Sequence, residues 1–226
     1  MKKIAYIIIS TIFICFFSCK KDENNSEISE ENLSLKNVSN ELISKDTLSI
    51  LLEKALKVDT LEFDNFEPFI YFKSGNILSK NEKNALTVNC TNDSTYQIEL
   101  YTQKNEKWIK NDEINNILAN RTQFYLEFKD YNFDGQKDIY LQKSASNGWS
   151  LSRGYLFTVN SKTKKLIEHK EVRELANMNP EQIKEIVYTD ELDYSQSGRK
   201  INRRINKWKN GKLISLGLDK SKVTEY

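Results

Sequence analysis

The 226-residue sequence is poor in histidine, proline and glycine, and each shortage removes a class of protein. A single histidine, His169, excludes His-rich metal centres and most schemes in which histidine activates a nucleophile. Two prolines and seven glycines exclude collagen-like chains and proline-rich linkers. An excess of one charge is also lacking, since 34 Lys and Arg stand against 32 Asp and Glu, so the balance does not call for a nucleic-acid partner. What is present is bulk. Hydrophobic residues make up 38% of the chain and include 11 Tyr, 11 Phe and 3 Trp, enough for a real core and against wholesale disorder. The length suits one domain with additional segments.

The first of those segments reads as an address. Met1-Lys2-Lys3 precedes an apolar run from Ile4 to Phe17, interrupted only by Ser10 and Thr11, which is the layout of a secretory signal. The run is shorter than the roughly 20 residues a membrane-crossing helix needs. It ends in Phe16-Phe17-Ser18-Cys19, which resembles the lipobox of bacterial lipoproteins and marks Cys19 for lipidation. The alternatives are an uncleaved short anchor or a plain signal with a chance cysteine. Residues 1–18 are therefore expected to be a signal peptide, and removing them takes away two bases and no acid, which leaves 32 of each sign. Cys15 leaves with the signal and Cys19 takes the lipid, so Cys90 stands alone and no intramolecular disulfide is expected. Within Ala85-Leu86-Thr87-Val88-Asn89-Cys90 it reads as a buried small hydrophobe.

Residues 19–43 are rich in Asn, Ser and Glu and free of aromatics, the composition of a solvated tether. Lys20-Lys21-Asp22-Glu23 also looks like the short charged surface-export signals of some outer-membrane lipoproteins. The expected location is the cell envelope, lipid-anchored to the outer membrane on its periplasmic or its surface face.

Residues 44–226 carry the folded domain. Leu48, Leu51, Leu52, Ala55 and Leu56 recur at helical spacing behind Ser44 or Asp46 as N-cap, which predicts one amphipathic helix of about three turns. Beyond Asp59 the period shortens to two. Tyr96, Ile98 and Leu100 alternate with polar neighbours, as do Phe124, Leu126 and Phe128, so both segments read as half-buried strands. Turn signals fall at Lys73-Ser74-Gly75-Asn76, Asn92-Asp93, Asn147-Gly148, Asn160-Ser161-Lys162 and Asn210-Gly211, at hairpin spacing. Asn179-Pro180-Glu181 reads as the start of a short helix carrying Ile183, Ile186 and Val187. The fold class expected is mainly β, an antiparallel meander or propeller-like domain with one N-terminal amphipathic helix.

One constellation carries chemistry. Asp130-Tyr131-Asn132-Phe133-Asp134-Gly135-Gln136-Lys137-Asp138 places oxygen-bearing side chains at loop positions 1, 3, 5 and 9 with glycine at 6. A hard cation such as Ca²⁺ needs that pattern, with the Gln136 carbonyl at position 7 and Gly135 at the sharp turn. Three carboxylates so close would repel one another without an ion. The loop departs from an EF-hand, because position 12 is Leu141 and both flanks read as strands. Without a bidentate Glu, affinity in the roughly 10⁻⁴–10⁻³ M range of extracellular modules is expected. The other reading is a polar turn whose Asp and Asn side chains bond only their own backbone.

The loop, followed by Ser144-Ala145-Ser146-Asn147-Gly148, Tyr155-Leu156-Phe157, Asn179-Pro180 and Lys207-Trp208-Lys209-Asn210-Gly211-Lys212-Leu213, resembles the propeller-like, calcium-loop bacterial lipoproteins related to inhibitors of peptidoglycan hydrolases. The resemblance spans about residues 95–216. It implies a calcium-stabilised β fold and a role as inhibitor or immunity protein against an envelope hydrolase or toxin. The sequence departs from the group at Ser150-Leu151-Ser152-Arg153, where a small or Gly-rich turn is usual, and this bears on the inhibitory surface.

Trp149 and Arg153 are the candidate partner-binding residues, on or beside a polar loop. Trp149 reads equally as a core residue. Nine bases and two acids in residues 196–226 suit either an acidic partner or the solvent face of a terminal hairpin. His169 reads as a polar strand residue. No nucleophile or marked carboxylate pair points to an enzyme. The reading is a non-enzymatic envelope binding module; the alternatives are a surface glycan-binding lipoprotein and a structural envelope protein.

Overall fold

The computed structural model describes residues 45–92, 94–118, 120–145, 151–193 and 200–225. The signal segment, Cys19, the tether and Trp149 lie outside the described residues, as does the Asn147-Gly148 turn. Among the described residues, chain order gives a helix α1 (residues 45–56) and thirteen strands. A first group comprises β1 (Leu61–Phe66), β2 (Phe69–Ser79), β3 (Glu82–Asn92), β4 (Thr95–Lys104) and β5 (Lys107–Leu118). The second comprises β6 (Leu126–Lys129), β7 (Asp138–Ala145), β8 (Ser152–Val159), β9 (Leu166–Glu168), β10 (Ala176–Glu181), β11 (Ile186–Asp193), β12 (Lys200–Lys209) and β13 (Lys212–Glu225). The mainly β class and the single helix on its N-terminal side are what the sequence predicts.

The first five strands form a meander in which each pairs antiparallel with the next. The other eight form a second antiparallel sheet, ordered β13-β12-β11-β10-β8-β7-β6, with β9 paired to the far half of β8. The predicted alternation sets the faces. Leu86, Val88, Ile98 and Leu100 of the first sheet meet Ile139, Leu141, Tyr155 and Phe157 of the second in one buried cluster. Phe124 lies just before β6, not in it, and packs edge-on against Phe69 and Tyr96.

The opposite face of the first sheet is covered by α1, whose Leu51 and Ala55 bury on Ile70, Phe72, Ala85 and Tyr101. Its last turn is held by Lys83, which donates to the carbonyl of Ala55 at 2.7 Å, a cation placed at the negative helix end. The outer face of the second sheet carries a third cluster, of Tyr131, Tyr140, Leu156, Val172, Met178 and Val187.

Three local expectations are corrected. Residues 179–187 are not helical: Asn179, Pro180 and Glu181 lie in β10, and Ile183, 94% exposed, sits in the turn before β11. β10 touches β8 only at Ala176↔Arg153, so Pro180 has a ladder neighbour on one side only, and its missing N–H is tolerated there. Lys73-Ser74-Gly75-Asn76 is no turn either; it runs within β2, with a register shift at Gly75 (φ 133°). A Cβ there would stand 2.9 Å from Thr60 Cγ2, so glycine serves a close crossing. His169 follows β9 and precedes a 3-10 turn (Lys170–Val172), so it is not a strand residue. Asn210-Gly211 does join β12 to β13, with φ of 52° and 72°, the left-handed pair of a tight hairpin. Cys90 is half-buried against the inter-sheet cluster.

Candidate metal centre

β6 and β7 pair as far as Lys129↔Asp138, and the loop closes between those two positions. Gly135 (φ 85°) and Phe133 (φ 64°) take left-handed conformations, which lets the chain curl tightly around the Asp130 side chain. Asp130 Oδ1 accepts from the N–H groups of Phe133 at 2.6 Å and Asp134 at 3.2 Å, and Oδ2 accepts from Gly135 at 2.9 Å. Asn132 Oδ1 accepts from Asp134 N at 3.1 Å, while its Nδ2 donates to Asp134 Oδ2 at 3.0 Å. Asp134 Oδ1 takes the N–H of Gln136 at 2.8 Å. Asp138 Oδ2 accepts from the N–H groups of Tyr131 at 2.8 Å and Asn132 at 3.2 Å.

The four predicted side chains are thus brought into one curl, joined through each other and through backbone N–H groups. Among the described residues, no three His, Cys, Asp or Glu side chains converge closely enough to hold a metal as placed. The donor chemistry suits a hard cation nonetheless, because Asp130, Asn132, Asp134, Asp138 and the backbone offer oxygen alone. Asp138 shows the electrostatic strain of the loop. It is 1% exposed, and burial pushes its carboxyl up to about 7. The charges of Asp134 and Asp130 push the same way, against the two N–H donors.

Three contacts fix the loop to distant strands. Gln182, in the β10–β11 turn, donates to the Asp130 carbonyl at 2.7 Å, and Trp208 of β12 donates through Nε1 to the Tyr131 carbonyl at 2.5 Å. The N–H of Lys137 reaches the Leu78 carbonyl of β2 at 2.7 Å, across the sheet boundary. Gln182 and Trp208 have no local sequence signal for this role.

Arg153, predicted to meet a partner, lies in β8 and turns towards its own chain, where Nε donates to the Glu174 carbonyl at 3.1 Å. In the basic hairpin, Arg203 pairs with Asp190 at 3.3 Å and Arg204 with Glu191, while Lys207, Lys209 and Lys212 are exposed at the tip. His169 is buried against Trp208, ring centroids 4.8 Å apart, with Nε2 3.0 Å from Thr158 Oγ1. Burial holds its pKa below the ordinary value, opposed by Glu171 and Glu168. The sequence reading also missed a recess beside the loop, lined in part by Glu127, Tyr131 and Tyr140.

No protein-family model matches the chain, and no curated protein sequence matches it. Among solved structures, the chain is similar to a Xanthomonas type IV secretion system related protein, at 7% identity and a TM-score of 0.25. That alignment covers 70% of this chain and 93% of the other. A likeness of that size leaves the architecture to be argued from the sheets themselves.

Proposed function

We propose that the chain is an envelope-anchored, non-enzymatic binding module whose β6–β7 loop is set by Ca²⁺. Asp130, Asn132, Asp134, Asp138 and the Gln136 carbonyl are its ligands, and a lipid on Cys19 holds the protein at the outer membrane. The partner is an envelope hydrolase or toxin protein that the module inhibits. One observation carries the reading: a loop with three carboxylates is anchored at once to β2, to the β10–β11 turn and to β12. A cation that relieves the repulsion within it would stiffen the surface around all three, so that a partner meets a preorganised face. The Ser18-Cys19 junction and the polar segment after it support the anchorage. The resemblance to inhibitor lipoproteins supports the choice of partner.

The test is partner capture from envelope extract by the full chain, with and without chelator, beside calorimetric titration with Ca²⁺. Heat of calcium uptake, and a captured hydrolase that is lost on chelation and with Asp134→Ala, are expected. Capture indifferent to both treatments, with no heat of uptake, would overturn the ion's part. Binding to a carbohydrate array with no inhibition of any hydrolase would replace the partner.

A further inference from the structure

Beside the cation loop, on the outer face of the second sheet, lies a recess of about 260 Å³. It is lined by Tyr125 at the rim, Glu127 of β6, Tyr140 and Gln142 of β7, Ser152 of β8, Asn177 and Met178 of β10, and Tyr131 of the loop. Tyr131, Tyr140 and Met178 are buried and form its floor. The volume falls below the roughly 300–1,000 Å³ of drug-sized sites, and is fit for one side chain or one small ring. We propose that this recess binds a guanidinium group, presented as an arginine side chain by a protein partner.

The Glu127 carboxylate in the lining gives the ligand its sign. Several donors at the recess are already committed. Gln142 Nε2 donates to the Gln123 carbonyl at 2.9 Å, and Asn177 Nδ2 to Asp190 Oδ2 at 3.1 Å. The N–H and hydroxyl of Ser152 both donate to Asn177 Oδ1, at 2.8 and 3.3 Å. Tyr131 Oη donates to Glu127 Oε1 at 3.4 Å, and Tyr125 Oη donates to Glu127 Oε2. Acceptor capacity remains, because each carboxylate oxygen of Glu127 has further lone pairs and so do the phenolic oxygens and Gln142 Oε1.

A polyhydroxyl ligand brings no charge to meet the Glu127 carboxylate. A guanidinium only donates, in a planar fork, and stacks on aromatic faces. Tyr125, 48% exposed at the rim, is the ring open to such a contact. Glu127 supplies the charge, and its present counter-ion, Lys129, is half exposed and readily displaced.

Tyr140 lines the recess from β7. It is 4% exposed, and the Ser152 hydroxyl stands close enough to share a hydrogen bond with its Oη. Gly154 makes room for the Tyr140 ring: a Cβ there would stand 2.6 Å from Tyr140 Cζ and 2.5 Å from the Leu141 carbonyl.

This inference deepens the binding-module reading by naming the chemistry the module recognises, and it rests on that reading only for the ligand's source in a protein. The test is NMR titration of the full chain with N-acetylarginine amide, with N-acetylcitrulline amide as the uncharged isostere and N-acetylglucosamine as the polyol. Arginine amide is expected to shift the Tyr131, Tyr140 and Gln142 signals. Citrulline amide should bind at least about tenfold more weakly, as should arginine amide to Glu127→Gln, since a lost charged hydrogen bond exceeds a factor of ten. Glu113→Gln, on the first sheet, should leave binding unchanged. Equal shifts from arginine and citrulline, or shifts from the sugar alone, would overturn the proposal. An arginine response with no captured envelope protein would keep the recess and refute the partner, so the two failures are distinguishable.

Discussion

Replacing Asp138 with Asn separates a cation loop from a polar turn, because the two readings give the substitution different consequences. The Asp138 carboxyl is buried and its pKa lies at about 7, against about 3.9 in an unfolded chain. An acid whose folded value is the higher one takes up a proton on folding. It therefore penalises the fold above that value, and the penalty fades as the pH falls towards the unfolded one. A gap of about three units corresponds to roughly 4 kcal/mol at alkaline pH, a large share of the roughly 5–15 kcal/mol of a typical domain.

Asn at 138 removes the charge and keeps an oxygen for the N–H groups of Tyr131 and Asn132. Its buried amide donors cost about 1–3 kcal/mol if they find no acceptor. Without metal, the variant should thus be more stable than the unsubstituted chain by roughly 1–3 kcal/mol at about pH 8. Calcium reverses the order: an ion at a hundred times its Kd adds about 2.7 kcal/mol to the unsubstituted chain, and the variant, short of a ligand, gains much less. Urea unfolding of both proteins at alkaline pH, in EDTA and in excess calcium, reads the crossing directly. In EDTA the unsubstituted chain should also gain stability on mild acidification. Superimposable curves with and without calcium would refute the cation site. A variant less stable in EDTA would refute the electrostatic argument.

Three other perturbations test separate parts of the structure. Gly154→Ala should destabilise by about 1–3 kcal/mol or more in thermal melts, because the Leu141 carbonyl in its path is held by strand pairing; an unchanged melting temperature would remove the crossing of Tyr140 over β8. His169 is held neutral by burial, so its contribution is whole above the unfolded value of about 6.5 and is lost as the pH falls through it. The unsubstituted chain should therefore lose stability relative to His169→Gln between about pH 7 and pH 5 in melting curves, and parallel pH profiles would refute this. Cys19→Ser should move the protein from the membrane pellet to the soluble fraction, and unchanged fractionation would exclude the lipid anchor.

The parts of the fold legible in the sequence are those fixed by neighbours in the chain. Alternation at Tyr96, Ile98 and Leu100 marks β4, and the left-handed pair Asn210-Gly211 marks a hairpin, since both depend on local geometry. Leu51 and Ala55 mark the buried face of α1 for the same reason. Asn179-Pro180-Glu181 misled because a proline after a polar residue is favourable at a helix start. Pairing of Glu181 with Ile186 across a short turn overrides that preference. Gly75 misled because its requirement lies in Thr60, on a different segment. The Asp130–Asp138 loop stood out because its constraint fits within nine residues, whereas Gln182 and Trp208 reach it from 52 and 77 positions away. The recess gathers side chains from four strands and is invisible to any window of sequence.

Tyr131 ties the loop to the recess. Its N–H is held by Asp138, its carbonyl by Trp208, and its buried ring forms the floor beside Tyr140. A residue fixed at N–H, carbonyl and ring cannot follow a change in one without straining the others, because packed interiors have little free volume. Charge on Asp138 therefore bears on the position of an aromatic wall, through one hydrogen bond. By linkage the influence is reciprocal: an occupant of the recess that favours one placing of the Tyr131 ring shifts the proton affinity of Asp138 by the same free energy. Whatever holds the Asp138 carboxyl charged and whatever fills the recess therefore favour or oppose one another equally, in whichever order they arrive, because both act on the placing of one residue, Tyr131.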